Sequence, residues 1–315
     1  MLDVRGVLDI SAPVATSANG PSEKPAHGSD RSWVALCCGI GTSGREGVEL
    51  KAAQLTKSER EWQDEHGAKL QIDAFSRPGT RLVFHRQFAL VSAALRPESE
   101  QRVLDLGCGA GLFLAWLEQR RELRLHGLDL SIASVRIARD RTSDAALVAG
   151  DAQQLPYADD SFDRVVCNGA IHHLPDVHAA LSELYRVVVP GGRIVLYEPT
   201  ATRFANWVRA LAFRQDRYES PADLEHKHEL DPERLPGLLA EVGFKVSSVS
   251  RHDWLAYPLS GMYVNLPIGR APGPMRLLLR AEAWLEGVRT VKRAAAVLAW
   301  RILVAADKPM IELAA

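Results

Sequence analysis

Eleven residues, VLDLGCGAGLF from Val103 to Phe113, constrain this 315-residue chain more than any other stretch. Val103, Leu104 and Leu106 make an apolar run of strand type that enters a turn with glycines at 107, 109 and 111. The missing side chains leave bare backbone for a close neighbour. Leu112, Phe113, Leu114, Trp116 and Leu117 then open a helix with a wide apolar face, so the loop ends at a helix N-terminus and its N–H groups. The unit is a strand–loop–helix of the nucleotide-binding kind.

Dinucleotide-binding folds use a similar device, and three features separate the cases. Asp105 stands two residues before the first glycine, where a carboxylate repels a pyrophosphate and attracts an ammonium or sulfonium cation. The spacing is G-x-G-x-G rather than G-x-G-x-x-G, and no Y-x-x-x-K pair occurs in the chain. These observations count against hydride transfer. A second strand, Leu123 to Leu128, ends in Asp129, 22 residues after Gly107, a distance that suits a carboxylate accepting from a ribose hydroxyl pair. Ser131, ahead of Ile132, Val135 and Ile137, is a better helix N-cap than Asp129. A third strand, Ala146 to Val148, leads to Gly150-Asp151-Ala152. Asp151 there is either an adenine-amine acceptor, with Ala152 and Leu155 as apolar faces for the ring, or an exposed turn residue.

In this order the segments resemble the class I S-adenosylmethionine-dependent methyltransferases, within the broad group that includes ubiquinone and menaquinone biosynthesis methyltransferases. The matching stretches are VLDLGCGAGLF, HGLDLS, VAGDAQQLPYADDSFDRVVCNGAIHHLPD and LYRVVVPGGRIVLYEPT, together most of residues 102–200. The resemblance implies an α/β fold: a Rossmann-like, doubly wound, mostly parallel seven-stranded sheet with an antiparallel C-terminal hairpin and helices on both faces. It implies S-adenosyl-L-methionine as cofactor, its methionine part held at Gly107, Gly109 and Gly111 beside Asp105. Asp129 and Leu130 then hold the ribose, Asp151 and Ala152 frame the adenine, and the backbone around Cys167 and Asn168 meets the methionine part again.

A net charge of −1 supplies no global field toward nucleic acid, so no nucleic-acid substrate is expected. The four cysteines, at 37, 38, 108 and 167, form no C-x-x-C, which points to neither a disulfide framework nor a zinc site and fits a cytoplasmic protein. Residues 1–57, rich in Ser, Pro, Gly and Ala, are expected to be a loosely ordered extension without a signal-peptide core. A G-x-G-x-x-G at Gly39, Gly41 and Gly44 lacks a following ribose acid, because TKSEREWQDEHGAKLQ reads as polar helix. Residues 58–315 are expected to form the methyltransferase domain, with substrate-cap insertions at about 200–230 and 255–298.

Two helices are expected between Ser58 and Leu95, with Phe84 and His85 either lining the site or packing on the sheet. The fourth strand, Phe162 to Cys167, runs into Asn168-Gly169-Ala170-Ile171-His172-His173, a loop at the carboxyl end of the sheet where open α/β folds bind ligands. His172 and His173 are candidate general bases, since an imidazole titrates near neutrality. Glu198, after the fifth strand Arg193 to Tyr197, is the other candidate, or else a carboxylate that orients a neighbouring loop. No third ligand accompanies the paired histidines, so no metal is expected. Asp176 is a plausible cap for the next helix.

Phe204, Trp207, Phe213, Tyr218, His226 and His228 belong to a cap or to ordinary core. A helix from Pro232 to Val242, a strand from Lys245 to Ser250 and a last strand from Trp300 to Ala305 follow. Inside the second insertion, Leu277, Ala281, Trp284, Val288, Val291 and Ala295 recur at helical spacing among Arg276, Arg280, Arg289, Lys292 and Arg293. Such a helix packs on its own domain or rests on an anionic membrane surface, and no apolar run is long enough to span a bilayer. The sequence reads as an enzyme that moves a methyl group by in-line displacement to a small-molecule acceptor: a quinone precursor, a polyketide or a lipid-linked compound. The alternatives are a non-catalytic S-adenosylmethionine-binding partner protein and a peripheral membrane module built on residues 270–298.

Overall fold

The computed structural model describes residues 46–120, 122–200, 231–260, 267–288, 291 and 297–310. Helices α1 (Glu46–Trp62), α2 (Ala68–Ser76) and α3 (Pro78–Leu95) precede the sheet, with a π-helical turn, Gln63–Gly67, between the first two. Strands β1 (Arg102–Leu106), β2 (Arg124–Asp129), β3 (Ala146–Ala149), β4 (Phe162–Asn168) and β5 (Val188–Pro199) are connected through α4 (Leu112–Glu118), α5 (Ile132–Arg141) and α6 (Val177–Val187). Helix α7 (Leu235–Val242), strand β6 (Lys245–His252), helices α8 (Ala256–Leu259) and α9 (Pro272–Glu286) and strand β7 (Arg301–Asp307) complete the described elements.

The seven strands lie in the order β3-β2-β1-β4-β5-β7-β6. Strands β1 to β5 pair in parallel, and β7 runs antiparallel to both β5 and β6. This is the doubly wound, mostly parallel sheet with an antiparallel end that the resemblance implies. The period-two alternation of each strand sends side chains to opposite faces. Leu104, Leu106, Val165, Cys167, Ile194 and Leu196 join α6 and α7 in one core, while Val103, Val166, Val195 and Tyr197 join α3 and α4 in the other. Both faces are therefore covered, which is why the central strands read as nearly continuous apolar runs. Shaving a fully enclosed residue such as Leu114 to alanine removes about 2–5 kcal/mol of such packing.

Local signals close the elements as the sequence predicts. Ser131 Oγ accepts from the Ser134 amide at 3.0 Å and Asp176 Oδ1 from the Ala179 amide at 2.8 Å, each satisfying an unpaired N–H of a first turn. Gly243, at φ +114°, ends α7 in the left-handed region and turns the chain into β6.

Two expectations need correction. Helix α1 starts at Glu46, so residues 46–57 are helical rather than a loose extension. The amphipathic helix of the second insertion ends at Glu286, and it packs inward through Met275, Leu279 and Glu282 while Leu277 and Trp284 face outward. The G-x-G-x-x-G at 39–44, Cys37, Cys38 and the aromatic and histidine residues of the 200–230 insertion named above lie outside the described residues.

Candidate active site

The glycine loop leaves β1 at Leu106 and turns back on itself. The amides of Gly107 and Cys108 both donate to the Leu128 carbonyl, at 2.7 and 3.0 Å, which ties the loop to the end of β2. Gly107 has φ +72°, and a Cβ there would stand 2.3 Å from the Ala170 Cβ, so the close neighbour that glycine admits on this side is the β4 loop. Gly109 and Gly111 also have positive φ, and a Cβ at Gly111 would meet Ala138 of α5 at 2.8 Å.

Asp129 stands opposite the loop. Its Oδ2 accepts from the Gly109 amide at 2.7 Å and its Oδ1 from the Ser131 amide at 2.9 Å. Burial outweighs these two donors and raises the carboxyl above its ordinary range, with nearby Asp64 adding to the effect. A carboxylate has about four acceptor positions, so two remain for a hydroxyl pair. Asp105, 2% exposed beneath the loop, is pushed up to about 7, first by burial and then by the charge of Asp129.

At the end of β3, Asp151 accepts from the Gln153 amide at 2.9 Å and from the Gln153 side chain at 3.1 and 3.2 Å. The Gln153 Oε1 in turn accepts from the Asp176 amide at 2.9 Å, joining the β3 turn to the β4 loop.

These segments wall a cavity of about 780 Å³, counting the part open to solvent. Leu106, Gly107, Asp129, Leu130, Asp151, Ala152, Gly169, Ala170 and His173 line it, and Thr56, Glu59, Gln63 and Gln71 close it from the N-terminal helices. The structure thus brings Gly107, Asp129, Leu130, Asp151 and Ala152 to one cavity. Asp105, Gly109, Gly111, Cys167 and Asn168 are not on its wall: Asp105 lies under the loop, and Cys167, at the end of β4, is wholly enclosed. Leu155, Phe84 and His85 belong to the packing rather than to the wall. Burial, then Arg120 and Arg81, pushes the His85 imidazole down to about 4.

The two histidines take different places. His172 Nδ1 contacts Glu198 Oε2 at 2.7 Å, and Glu198 Oε1 accepts from the Ala170 and Ile171 amides at 3.2 and 3.3 Å. Burial opposes the charge of Glu198, but the His172 hydrogen bond and charge, with Arg301 behind, hold it below the ordinary carboxylate range. Glu198 is fully enclosed and is not on the wall of this cavity, which favours the second of its two readings, a carboxylate that orients the β4 loop, over that of a base. His172 is likewise not on the cavity wall. His173 is on it, with Nδ1 at 3.3 Å from Glu59 Oε1, and the two imidazole rings are 4.0 Å apart.

Glu59, Gln63, Gln71 and Asp64 are the residues that sequence reasoning missed. Glu59, 3% exposed, accepts from Gln63 Nε2 at 2.8 Å. Gln71 Oε1 accepts from the Ala110 amide of the glycine loop at 3.1 Å. Asp64 Oδ1 accepts from Ser131 Oγ at 2.6 Å and from the Ala133 amide at 3.0 Å, so it adds a second carboxylate at the N-terminus of α5. Among the described residues no group of three or more His, Cys, Asp or Glu is placed to hold a metal ion.

Residues 104–196 match the methyltransferase domain family. The chain is 39% identical over 101 residues to methyltransferase GfsG of Streptomyces halstedii, a match that covers 30% of this chain and 36% of that protein. It is 30% identical over 186 residues to a demethylmenaquinone methyltransferase of Deinococcus radiodurans, covering 53% of this chain and 76% of the relative. The chain thus spans about a third of the first relative and three quarters of the second. A solved geranyl diphosphate methyltransferase in complex with GPP and sinefungin superposes with a TM-score of 0.57 at 13% identity, over 81% of this chain and 99% of that one, a likeness of fold.

Proposed function

Because the chain belongs to the class I S-adenosylmethionine-dependent methyltransferases, we propose that it methylates an apolar small molecule with an ionisable hydroxyl, of the quinone-precursor or polyketide class, using His173 as proton acceptor. The observation that carries this reading is one cavity with the cofactor anchors on one wall and His173, paired to Glu59, on another. S-adenosylmethionine supplies, when bound, a methyl carbon on a sulfonium leaving group.

The residues of the chain do the rest. The backbone at Gly107 admits the methionine part, Asp129 accepts from the ribose hydroxyls beside Leu130, and Asp151 accepts from the adenine amine with Ala152 against the ring. A carboxylate beside Nδ1 selects the tautomer with its proton there, and Nε2 is the atom assigned to take the acceptor's proton as its oxygen or ring carbon attacks. Glu59 is then a positioning residue. Glu198 holds the Ala170 and Ile171 amides and the His172 imidazole so that His173 stays on the wall. Much of the rate comes from holding acceptor and methyl in line.

Parallel calorimetric titrations with S-adenosylmethionine, S-adenosylhomocysteine and NAD, followed by transfer of labelled methyl to apolar phenols, test the reading. Binding of both adenosyl compounds, none of NAD, and transfer lost in His173→Ala is the expected result. Binding of NAD alone overturns the cofactor site. Adenosyl binding with no transfer to any acceptor favours the non-catalytic binding protein instead.

A further inference from the structure

The second insertion leaves β6 at His252 and returns at Arg301, two residues that pair across the sheet. Strand β6 runs in the direction of β5, so both ends of the insertion emerge at the carboxyl edge, where Glu198 and the histidine loop also lie. Helix α9 (Pro272–Glu286) is its longest described element. Met275 and Leu279 are fully buried with Val83, Tyr257 and Trp300. The helix has only two acids, and both turn inward: Glu282 accepts from the Trp254 and Ala256 amides at 3.0 and 2.8 Å, and Glu286 pairs with buried Arg86 at 2.7 Å.

The outer face is what remains. Leu277 is 70% and Trp284 72% exposed, two turns apart on one stripe, and Arg276 and Arg280 are exposed beside them. One exposed Leu or Trp needs no explanation. A leucine and a tryptophan on one stripe, flanked by two cations on a face with no acid, form a surface complementary to a partner that is both apolar and anionic.

We propose that the outer face of α9 docks on an anionic lipid surface, with Trp284 and Leu277 entering the headgroup boundary and Arg276 and Arg280 meeting lipid phosphates. Tryptophan suits such a boundary because its ring is apolar and its N–H polar. Docking stands on this surface alone. Its use, delivery of a membrane-dissolved acceptor to the carboxyl edge, rests on the acceptor class proposed above. Among the described residues no helix is long and apolar enough to cross a membrane, so the contact is peripheral.

The test is flotation of the full chain with vesicles of phosphatidylcholine and phosphatidylglycerol, against phosphatidylcholine alone. The protein is expected to float with the mixed vesicles, less so at high salt. Arg276→Gln with Arg280→Gln should weaken partitioning about 30-fold, since each cation near such a surface contributes comparably. Leu277→Ser with Trp284→Ser should remove it. Both variants should bind S-adenosylmethionine as the unsubstituted chain does, which shows an intact fold and separates failure of docking from failure of the cofactor reading. Absence of the protein from anionic vesicles overturns the proposal, as does equal flotation of all variants. So does a dimer in sedimentation that Trp284→Ser abolishes, because a second copy then covers the face.

Discussion

Asp105 beneath the glycine loop is expected to make the affinity of the site for its cofactor a function of pH. An unfolded aspartate titrates near 3.8, whereas burial and then Asp129 push this one up to about 7. Between those values the folded chain binds a proton that the unfolded chain does not. Its contribution to stability is therefore fully present below 3.8 and lost as pH rises through 7, a span worth at most about 4 kcal/mol at 1.36 kcal/mol per decade. Asp105→Asn should accordingly raise the melting temperature of the ligand-free protein at pH 8 and change little at pH 4. A cation against the glycine loop acts in the opposite sense and favours the carboxylate. At pH 6 about a tenth of the free protein carries that charge and at pH 8 about nine tenths, so S-adenosylmethionine affinity should rise about tenfold over the interval. Calorimetry in two buffers of different ionisation enthalpy should record close to one proton released per cofactor at pH 6. Asp105→Asn should bind more weakly at pH 8 and show neither the slope nor the proton. A flat profile in the unsubstituted protein, or the same slope in the variant, refutes the placement of Asp105 at the cationic end of the cofactor.

Asp129→Ala removes the acceptor of the Gly109 and Ser131 amides together with the one proposed for the ribose, and loss of two charge-assisted hydrogen bonds to the hydroxyl pair is expected to cost about a hundredfold in affinity. Titration with S-adenosylhomocysteine checks it, and a change of less than about threefold would move the ribose elsewhere. Asp253, 1% exposed, accepts from Arg86 at 2.8 Å, Gln87 at 2.5 Å and Tyr197 at 2.6 Å. Asp253→Ala should cost about 3–5 kcal/mol in denaturant unfolding, the usual result of stranding a buried charge; a loss under about 1 kcal/mol would mean that Glu282 and Glu286 suffice for Arg86.

The sheet and the glycine-loop side of the cavity were legible because their signals are local. A strand, three glycines and an apolar helix sit within 16 residues, Arg102 to Leu117, and the acids stand at the end of β2 (Asp129) and two residues past the end of β3 (Asp151). The roof was not. Asp64 meets Ser131 across 67 residues and Gln71 meets Ala110 across 39, and in sequence they are two polar residues among many on a polar helix. The choice between His172 and His173 was closed to sequence for the same reason: each is defined by a distant carboxylate, Glu198 or Glu59. Helix α9 shows how a non-local charge overrides an apolar pattern. The stripe through Leu277 and Trp284 suited either burial or a membrane surface, and because Arg86 of α3 is enclosed beside Glu282 and Glu286, the helix turns its acids inward and that stripe outward.

Strand β7 is fastened at both ends. Arg193 grips Asp307 at 2.7 and 3.0 Å at one, and at the other the Trp300 amide donates to His252 while the Thr200 amide donates to Trp300. Everything between residues 253 and 300 therefore hangs from a closed seam. Outside the Met275, Leu279 and Tyr257 packing on Val83 and Trp300, such a segment can change in length or sequence without re-registering a single strand. Under the delivery role proposed above, this insertion and the methyl-transfer site can diverge at separate rates within one gene, and the same seam is where a foreign segment would be grafted. One condition travels with any graft: it must bring a carboxylate to where Asp253 stands, because Arg86 is enclosed opposite it.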